Sequence, residues 1–243
     1  MKIGVFGDSF GDDYNLWPNP YTSVGPSWID YLKSQNIEID NFSCGGTGLY
    51  FSYQRFMTHY QKYDKIIFCV TSPGRINVVE DNGLETTWFN LMQVENQLKD
   101  CFDYEKKIKL TAIRDYFIYV KNDKFDEVVH KLLIEDILKK HKDILMIPSF
   151  VDSGIDNQIP LFNISHFEAN FWNMIEVLPN SETEYDARKC HMCEENNLML
   201  GQEIYNWVKT GNYNLKQENF KHPTKEFSHY FRTDFKILRK NQK

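Results

Sequence analysis

Near its start the chain carries a short apolar run that stops abruptly at a Gly-Asp-Ser turn. Residues 2–7 are Lys-Ile-Gly-Val-Phe-Gly, and Asp8, Ser9, Phe10 and Gly11 follow directly. A run of this length bounded by turn residues predicts a buried strand at about 2–7. In an open α/β sheet, ligands bind outside the carboxyl ends of the strands. Ser9 is therefore predicted to stand where a ligand would bind.

Strand and helix patterns alternate along the chain, which predicts a parallel sheet with helices on both faces. Further apolar runs predict a second strand that ends near Phe42, a third strand at 65–70 and a fourth at 144–147. This arrangement is an α/β fold, in which each helix covers one face of the sheet.

Helical periodicity falls between these strands. The first helix is predicted at 27–36, after a Pro-rich aromatic loop, and the last begins at about Glu194. In the last helix we expect Gly201 to allow close approach to the sheet. Two apolar sets are expected to be buried, namely Leu49, Tyr53, Phe56 and Tyr60 in the second helix and Leu198, Ile204, Tyr205 and Val208 in the last.

The segment between the third and fourth strands, about 77–142, is far longer than one crossover helix needs. It is predicted to be a helical insertion with at least two helices, the first at roughly Thr86 to Phe102. One packed apolar face is predicted for the second, made of Phe125, Val128, Val129, Leu132, Leu133 and Ile137.

A serine hydroxyl is a weak nucleophile until a base removes its proton, so Ser9 needs a histidine from elsewhere in the chain. His191 is the best candidate, because it lies just before the last strongly helical stretch. Asp186, five residues upstream, can orient the imidazole and stabilise the cation that proton transfer forms. Asp152 and Glu194 are alternative orienting acids.

An early Gly-Asp-Ser with a late Asp and His resembles the SGNH hydrolase family, also called GDSL esterases and lipases. The resemblance covers roughly the first 75 residues and residues 180–210. It implies a three-layer, flavodoxin-like α/β/α fold with strand order 2-1-3-4-5. It also implies that Ser9 is the nucleophile and that its backbone N–H is one oxyanion donor.

The family's glycine block resembles Asn41-Phe-Ser-Cys-Gly-Gly-Thr-Gly, which follows the second strand. By its spacing from the asparagine, the resemblance implies Gly46 as the second oxyanion donor. Gly45 and Gly48 remain alternatives.

Two family blocks are altered. Where the family has Gly-x-Asn-Asp after the third strand, this chain has Thr-Ser-Pro-Gly-Arg at 71–75, and Arg188 stands three residues before His191 in place of an aspartate. Ser72 and Arg75 can instead bind substrate, the arginine through its planar donor fork. The alternative is that 71–74 form only a turn and that Arg75 pairs with a surface acid.

The resemblance implies ester hydrolysis through an acyl-enzyme, with neither a metal nor an organic cofactor. The substrate would be a small-molecule or glycan ester, and the aromatic loop from Tyr14 to Trp28 favours a carbohydrate O-acetyl ester. The alternatives are an SGNH-fold binding or structural module with weak or lost catalysis, and an acyltransferase that uses the same residues.

Length and charge suggest one main domain with a basic extension. Residues 1–210 are predicted to form the hydrolase domain, with a net charge of −11, and residues 211–243 an aromatic extension at +5. Basic residues interleaved with aromatic ones can bind nucleic acid. The overall charge of −6 argues against that partner, and packing of the extension on the domain is the simpler interpretation. The sequence leaves the oligomeric state open.

The location of the protein is predicted from what the sequence lacks. It has no run near the roughly 18 apolar residues of a membrane span and no signal peptide before the first strand. We therefore expect a cytoplasmic protein without membrane contact, unless it leaves the cell as part of a larger particle. Five scattered cysteines suit reduced thiols. Cys190, His191 and Cys193 together could hold zinc, although the histidine is better used as the base.

Overall fold

A computed structural model describes residues 1–12, 26–79, 85–88, 91–156, 158–161, 192 and 194–220. Four strands form a parallel sheet in the order β2-β1-β3-β6, namely β1 (Lys2–Gly7), β2 (Glu38–Asn41), β3 (Lys65–Val70) and β6 (Ile144–Pro148). The first four positions of the predicted order 2-1-3-4-5 are confirmed. The described residues contain no fifth strand of this sheet.

The described helices are α1 (Trp28–Ser34), α2 (Leu49–His59), α3 (Leu91–Lys99), α4 (Tyr104–Asp115), α5 (Asp123–Lys140) and α6 (Glu194–Thr210). Helices α1 and α6 cover one face of the sheet, and α2 and α5 cover the other. Helix α1 begins where predicted because Ser27 and Asp30 form a capping box, in which each side chain accepts a hydrogen bond from the other residue's backbone N–H. Among the described residues, no helix is both long and apolar enough to cross a bilayer.

Alternation along the strands creates two cores. Ile3, Val5 and Ile67 face the α1 and α6 layer, where Trp28 and Leu200 are buried among others. On the other face, Phe6, Ile66, Phe68, Phe56 of α2 and Ile137 of α5 are buried together. Successive side chains of a strand point to opposite faces, so a run buried on both faces must be almost wholly apolar. The predicted three-layer α/β/α fold class is confirmed.

The carboxyl-terminal segment has one part within the described residues. Phe220 is buried in the core that α1 and α6 cover, and Tyr213 and Leu215 pack against the same core. Residues 221–243 lie outside the described residues. The division into a domain at 1–210 and an extension at 211–243 stays a prediction.

The predicted start of the first insertion helix, at Thr86, is wrong. Residues 76–79 (β4) and 85–88 (β5) instead pair as antiparallel strands, and α3 begins at Leu91. The sequence Glu85-Thr86-Thr87-Trp88 is β-branched and aromatic, which favours a strand. Asn-Gly at 82–83 is the strongest short hairpin signal.

The single packed face predicted for the second insertion helix is also wrong. The buried stripe of α5 is His130, Ile134 and Ile137, with Leu133 half-buried at its edge. Exposed apolar residues form a second stripe on about the opposite side of the helix, comprising Phe125, Val128, Val129 and Leu132. The six residues predicted to form one packed face therefore come from both stripes, because the residues of each stripe follow helical spacing.

Two expectations for α6 also need correction. Leu198 is exposed at 39% rather than buried. A Cβ on Gly201 would lie 2.8 Å from the ring of Tyr31, so this glycine admits α1 rather than the sheet. Ile204 and Val208 are buried as predicted.

Gly7 should be the least replaceable glycine near the Ser9 turn. Its φ is +146°, and a Cβ there would lie 2.6 Å from both Cβ and the carbonyl oxygen of Cys69. We expect Gly7→Ala to lower the free energy of unfolding by about 3 kcal/mol or more in urea titrations, through backbone strain plus overlap. Gly211→Ala is the matched control, since Gly211 has φ +78° but open space around it, and should cost about 1 kcal/mol. If Gly7→Ala and Gly211→Ala lowered the free energy of unfolding equally, steric overlap with β3 would contribute nothing to the cost at Gly7.

Candidate active site

The carboxyl ends of the four parallel strands meet at one edge of the sheet, and the loops after them form the candidate site. Ser9 follows β1, residues 42–48 follow β2, residues 71–75 follow β3 and residues 149–153 follow β6. Because β1 lies between β2 and β3, Ser9 has a loop from a neighbouring strand on each side. This is the edge at which ligands bind in open α/β sheets.

The turn that carries Ser9 is anchored through the aspartate before it. The N–H of Gly11 donates to the carbonyl of Asp8 at 3.0 Å, which closes the turn. Oδ1 of the fully buried Asp8 accepts from the Phe10 N–H at 3.1 Å and from the Ser149 hydroxyl at 2.9 Å. The Asp8 side chain thus helps to form the turn, and its bond to Ser149 ties the turn to the loop after β6. Ser9 itself is half-buried.

Two side chains hold the glycine block against this turn. Nδ2 of Asn41 donates to the Gly11 carbonyl at 2.8 Å. The carboxylate of Asp12, which is buried, accepts from the Gly45 N–H at 2.7 Å. Since the Gly45 N–H is committed to Asp12, Gly46 and Gly48 are the better remaining candidates for the second oxyanion donor.

Gly46 differs from its neighbours in backbone conformation. Its φ is +79°, and a Cβ there would have no heavy atom within 4 Å. Gly48, by contrast, is the extended residue that precedes α2. Glycine at position 46 is thus required by the left-handed backbone rather than by crowding, and the residue borders open space. Its role as oxyanion donor stays a prediction.

Arg75 lies inside the site edge rather than at the surface, with its side chain only 2% exposed. Its Nη1 donates to the Thr47 carbonyl at 2.6 Å, and its Nη2 lies 3.7 Å from Oδ2 of Asp8. The guanidinium also lies over the ring of Phe150, 5.1 Å from the ring centre. Burial lowers the pKa of Arg75 to about 10, although Asp8 and Asp152 act in the opposite direction.

Ser72 joins the loops after β3 and β6. Its hydroxyl donates to the Asp152 carboxylate at 2.7 Å and accepts from the Gly74 N–H at 3.2 Å. On the far side of the β6 loop, Nε2 of the buried His130 bonds to the Ser153 carbonyl at 2.9 Å, so the proton must be on Nε2. Burial lowers the pKa of His130, which favours the neutral ring. Substrate binding by Ser72 stays a prediction.

The predicted base and its orienting acid, His191 and Asp186, lie outside the described residues, as do Cys190 and Cys193. The triad and the zinc alternative therefore both stay predictions. Met192, directly after the base, is fully buried in the core that α1 and α6 cover.

A series of hydrogen bonds connects an early and a late segment of the chain at this edge. The Met192 carbonyl accepts from Nδ2 of Asn197 at 3.1 Å, and Oδ1 of Asn197 accepts from the Trp28 N–H at 3.4 Å. The Trp28 indole N–H then donates to the Phe10 carbonyl at 2.8 Å. Trp28 of α1 and Asn197 of α6, which are both buried, therefore hold Phe10 and Met192. These two residues directly follow the predicted nucleophile and the predicted base.

Sequence reasoning missed most of the residues that hold these loops in place. Asp12 and Thr47 act across 33 and 28 residues and Asn197 across 169, so no local pattern marks their partners. Only Asn41 had a signal, because it stands at the end of a strand directly before the glycine block.

Comparison with known proteins gives distant structural likenesses. No protein-family model matches the chain, and no curated protein matches it significantly. Among solved structures, the lipase/acylhydrolase from Enterococcus faecalis is 14% identical, with 89% of this chain and 98% of that chain covered and a TM-score of 0.41. A protein from Desulfitobacterium hafniense DCB-2, assigned to the lipolytic G-D-S-L family, is 15% identical over 83% and 95%, with a TM-score of 0.33. Overlap of this extent fixes neither family nor activity, so the function must be inferred from the chain's own residues.

Proposed function

We propose that the chain is a serine ester hydrolase of the SGNH type, with Ser9 as nucleophile, His191 as base and Asp186 as orienting acid. The supporting observation is the position of Ser9, which is half-buried at the carboxyl end of the inner strand β1. The turn that carries it is anchored on one side by Asn41 and on the other by Ser149, through Asp8. A fixed position of the nucleophile supports the proposal, because covalent catalysis needs the attacking oxygen to be held in place.

The reaction proceeds through two acyl transfers. His191 takes the Ser9 hydroxyl proton while Oγ forms a bond to the ester carbonyl carbon, and the carbonyl electron pair moves onto oxygen. The C–O bond to the alcohol then breaks, and the protonated His191 gives its proton to the departing alcohol. Water attacks the acyl-enzyme in the same way, His191 takes one water proton and returns it to Ser9, and the free acid leaves.

The developing oxyanion would be held by the backbone N–H groups of Ser9 and Gly46. The close approach of their loops supports this pairing, since Asp12 and Asn41 bind the two loops to each other. Donors that are already in place need no reorganisation at the moment of reaction, which is why such sites lower barriers strongly.

For the substrate we propose a small acyl ester of a sugar, such as an O-acetyl group. The support is compositional: the segment from Tyr14 to Trp28 is rich in aromatic residues and follows the Ser9 turn. Trp28 is its only aromatic residue inside the described ranges, and it is buried under the turn. Acyl transfer by a serine, a histidine and an aspartate needs neither a metal nor an organic cofactor.

A fluorophosphonate probe and an ester panel test the proposed function. The Ser9 oxygen should form a bond to phosphorus with loss of fluoride, and mass spectrometry should place the adduct on Ser9. The enzyme should also hydrolyse nitrophenyl acetate faster than longer-chain esters and release acetate from acetylated sugars. Acetate that appears on an added acceptor sugar rather than in solution would identify an acyltransferase. A folded protein that neither reacts with the probe nor turns over any ester would contradict the proposal and favour a binding module.

A further inference from the structure

Arg75 is the one buried cation among the described residues of the site edge, and it touches the two loops that the proposed chemistry needs. Its Nη1 donates to the carbonyl of Thr47, the residue after Gly46. Its Nη2 faces Asp8, the residue before Ser9, at 3.7 Å. One rigid planar group thus lies between the Thr47 carbonyl, one residue after the proposed oxyanion donor, and the Asp8 carboxylate, one residue before the proposed nucleophile.

The surroundings of Arg75 fix the orientation of its guanidinium. The plane lies over Phe150, and the Asp8 carboxylate that it faces is itself held by the Ser149 hydroxyl and the Phe10 N–H. With only 2% of its side chain exposed, Arg75 has little surface to offer a substrate. Its bond to the Thr47 carbonyl is short and charge-assisted, the strong kind of hydrogen bond.

We propose that Arg75 is a positioning residue, which sets the place of the Gly46 N–H relative to Ser9 by clamping the Thr47 carbonyl against Asp8. The proposal rests on the proposed function and deepens it. It replaces the direct substrate contact that the sequence suggested for this arginine. The acyl group and the alcohol never touch Arg75, which acts on them through the backbone that connects the Thr47 carbonyl to the Gly46 N–H.

Loss of the clamp should act on turnover rather than on substrate binding. A misplacement of about 1 Å can cost roughly 100-fold in rate, and an oxyanion donor improves its bond most in the transition state. We therefore expect Arg75→Ala to lower kcat by about 10- to 100-fold with KM changed by less than about threefold. Arg75→Lys keeps the charge but bonds through a point donor, so its kcat should fall between those of Arg75→Ala and the wild type.

The lysine variant also guards against a folding artefact. Arg75→Ala leaves Asp8 buried without this cation, which can destabilise the whole protein, whereas Arg75→Lys preserves the charge. Arg114→Ala is the matched control, because Arg114 lies on α4 with its side chain 37% exposed and pairs with Asp115. The control should keep wild-type kcat and KM.

Kinetics should be paired with a measurement that does not depend on activity. We would follow hydrogen exchange in peptides that cover residues 43–49, where the N–H of Cys44 donates to Gly7 and the N–H of Gly45 to Asp12. Exchange there should become at least about tenfold faster in Arg75→Ala and less so in Arg75→Lys, and should be unchanged in Arg114→Ala. The rate of fluorophosphonate attachment to Ser9, which also builds negative charge on oxygen, should fall in parallel with kcat.

The outcomes separate this proposal from the proposed function. If the wild type neither reacts with the probe nor hydrolyses esters, the proposed function fails, and the exchange measurement still decides whether Arg75 holds the glycine loop. If Arg75→Ala and Arg75→Lys raise KM at constant kcat, Arg75 binds substrate directly and the positioning role is overturned. Wild-type kcat together with unchanged exchange at 43–49 would overturn it as well.

Discussion

Replacing Ser9 with alanine should abolish ester hydrolysis while the fold persists. The change removes only the hydroxyl, and the backbone N–H at position 9 remains able to donate to an oxyanion. Loss of a catalytic nucleophile costs about 1000-fold or more in kcat, so we expect no turnover above about 0.1% of the wild-type value. Stopped assays on nitrophenyl acetate, with circular dichroism and urea unfolding on the same samples, would check both halves of this expectation.

Ser34→Ala is the matched control for this experiment. Ser34 lies in the last turn of α1 and donates to the Tyr31 carbonyl, away from the carboxyl edge of the sheet. The Ser34→Ala variant should react with fluorophosphonate and turn over esters as the wild type does, whereas the Ser9→Ala variant should do neither. Retention of more than a few per cent of wild-type turnover by Ser9→Ala would rule Ser9 out as the nucleophile.

Replacing His191 with alanine should be as damaging as replacing Ser9, because the hydroxyl then has no base and the alcohol no acid. Asp186→Asn should cost less, since the acid lies two residues farther from the histidine than the family pattern has it. Steady-state kcat/KM of the single variants, and of Ser9→Ala/His191→Ala, would measure this. Residues that act as a unit lose activity non-additively, so the double variant should be no worse than either single one.

The control is His141→Gln, at the end of α5 on the opposite edge of the sheet, where the ring bonds to the Tyr63 carbonyl. It should retain turnover. If His191→Ala hydrolyses esters normally, another histidine is the base. If Asp186→Asn is as inactive as His191→Ala, the aspartate is a full triad member in spite of its longer spacing.

The sheet and the Ser9 turn could be predicted from the sequence because their signals are local. Residues 2–7 and 65–70 are apolar on both faces and are each followed by turn residues, and both strands were placed to the residue. Gly7 marks the limit of prediction from local signals. A tight turn favours a glycine there, but only the structure shows that Cys69 of β3 lies against Gly7.

The residues that assemble the site could not be predicted in the same way, because their roles depend on partners distant in the chain. Arg75 was expected to face substrate or solvent, yet it is buried against Thr47 and Asp8. Burial of a charge is favoured only when the fold supplies several partners at once, and no local pattern reports those partners. Trp28 and Asn197 illustrate the same limit, since either one alone is an ordinary helix residue.

The long insertion between β3 and β6 has its own small core, made of Val94, Leu110 and Phe117, which is separate from the two cores on the sheet. Among the described residues of the insertion, only those of α5 are buried in a core of the sheet, through Ile134 and Ile137. The crossover that the parallel sheet requires is therefore complete with α5 alone, and α3 and α4 are additions to it. Natural variation or engineering in these two helices can proceed without repacking the strands that carry the Ser9 turn.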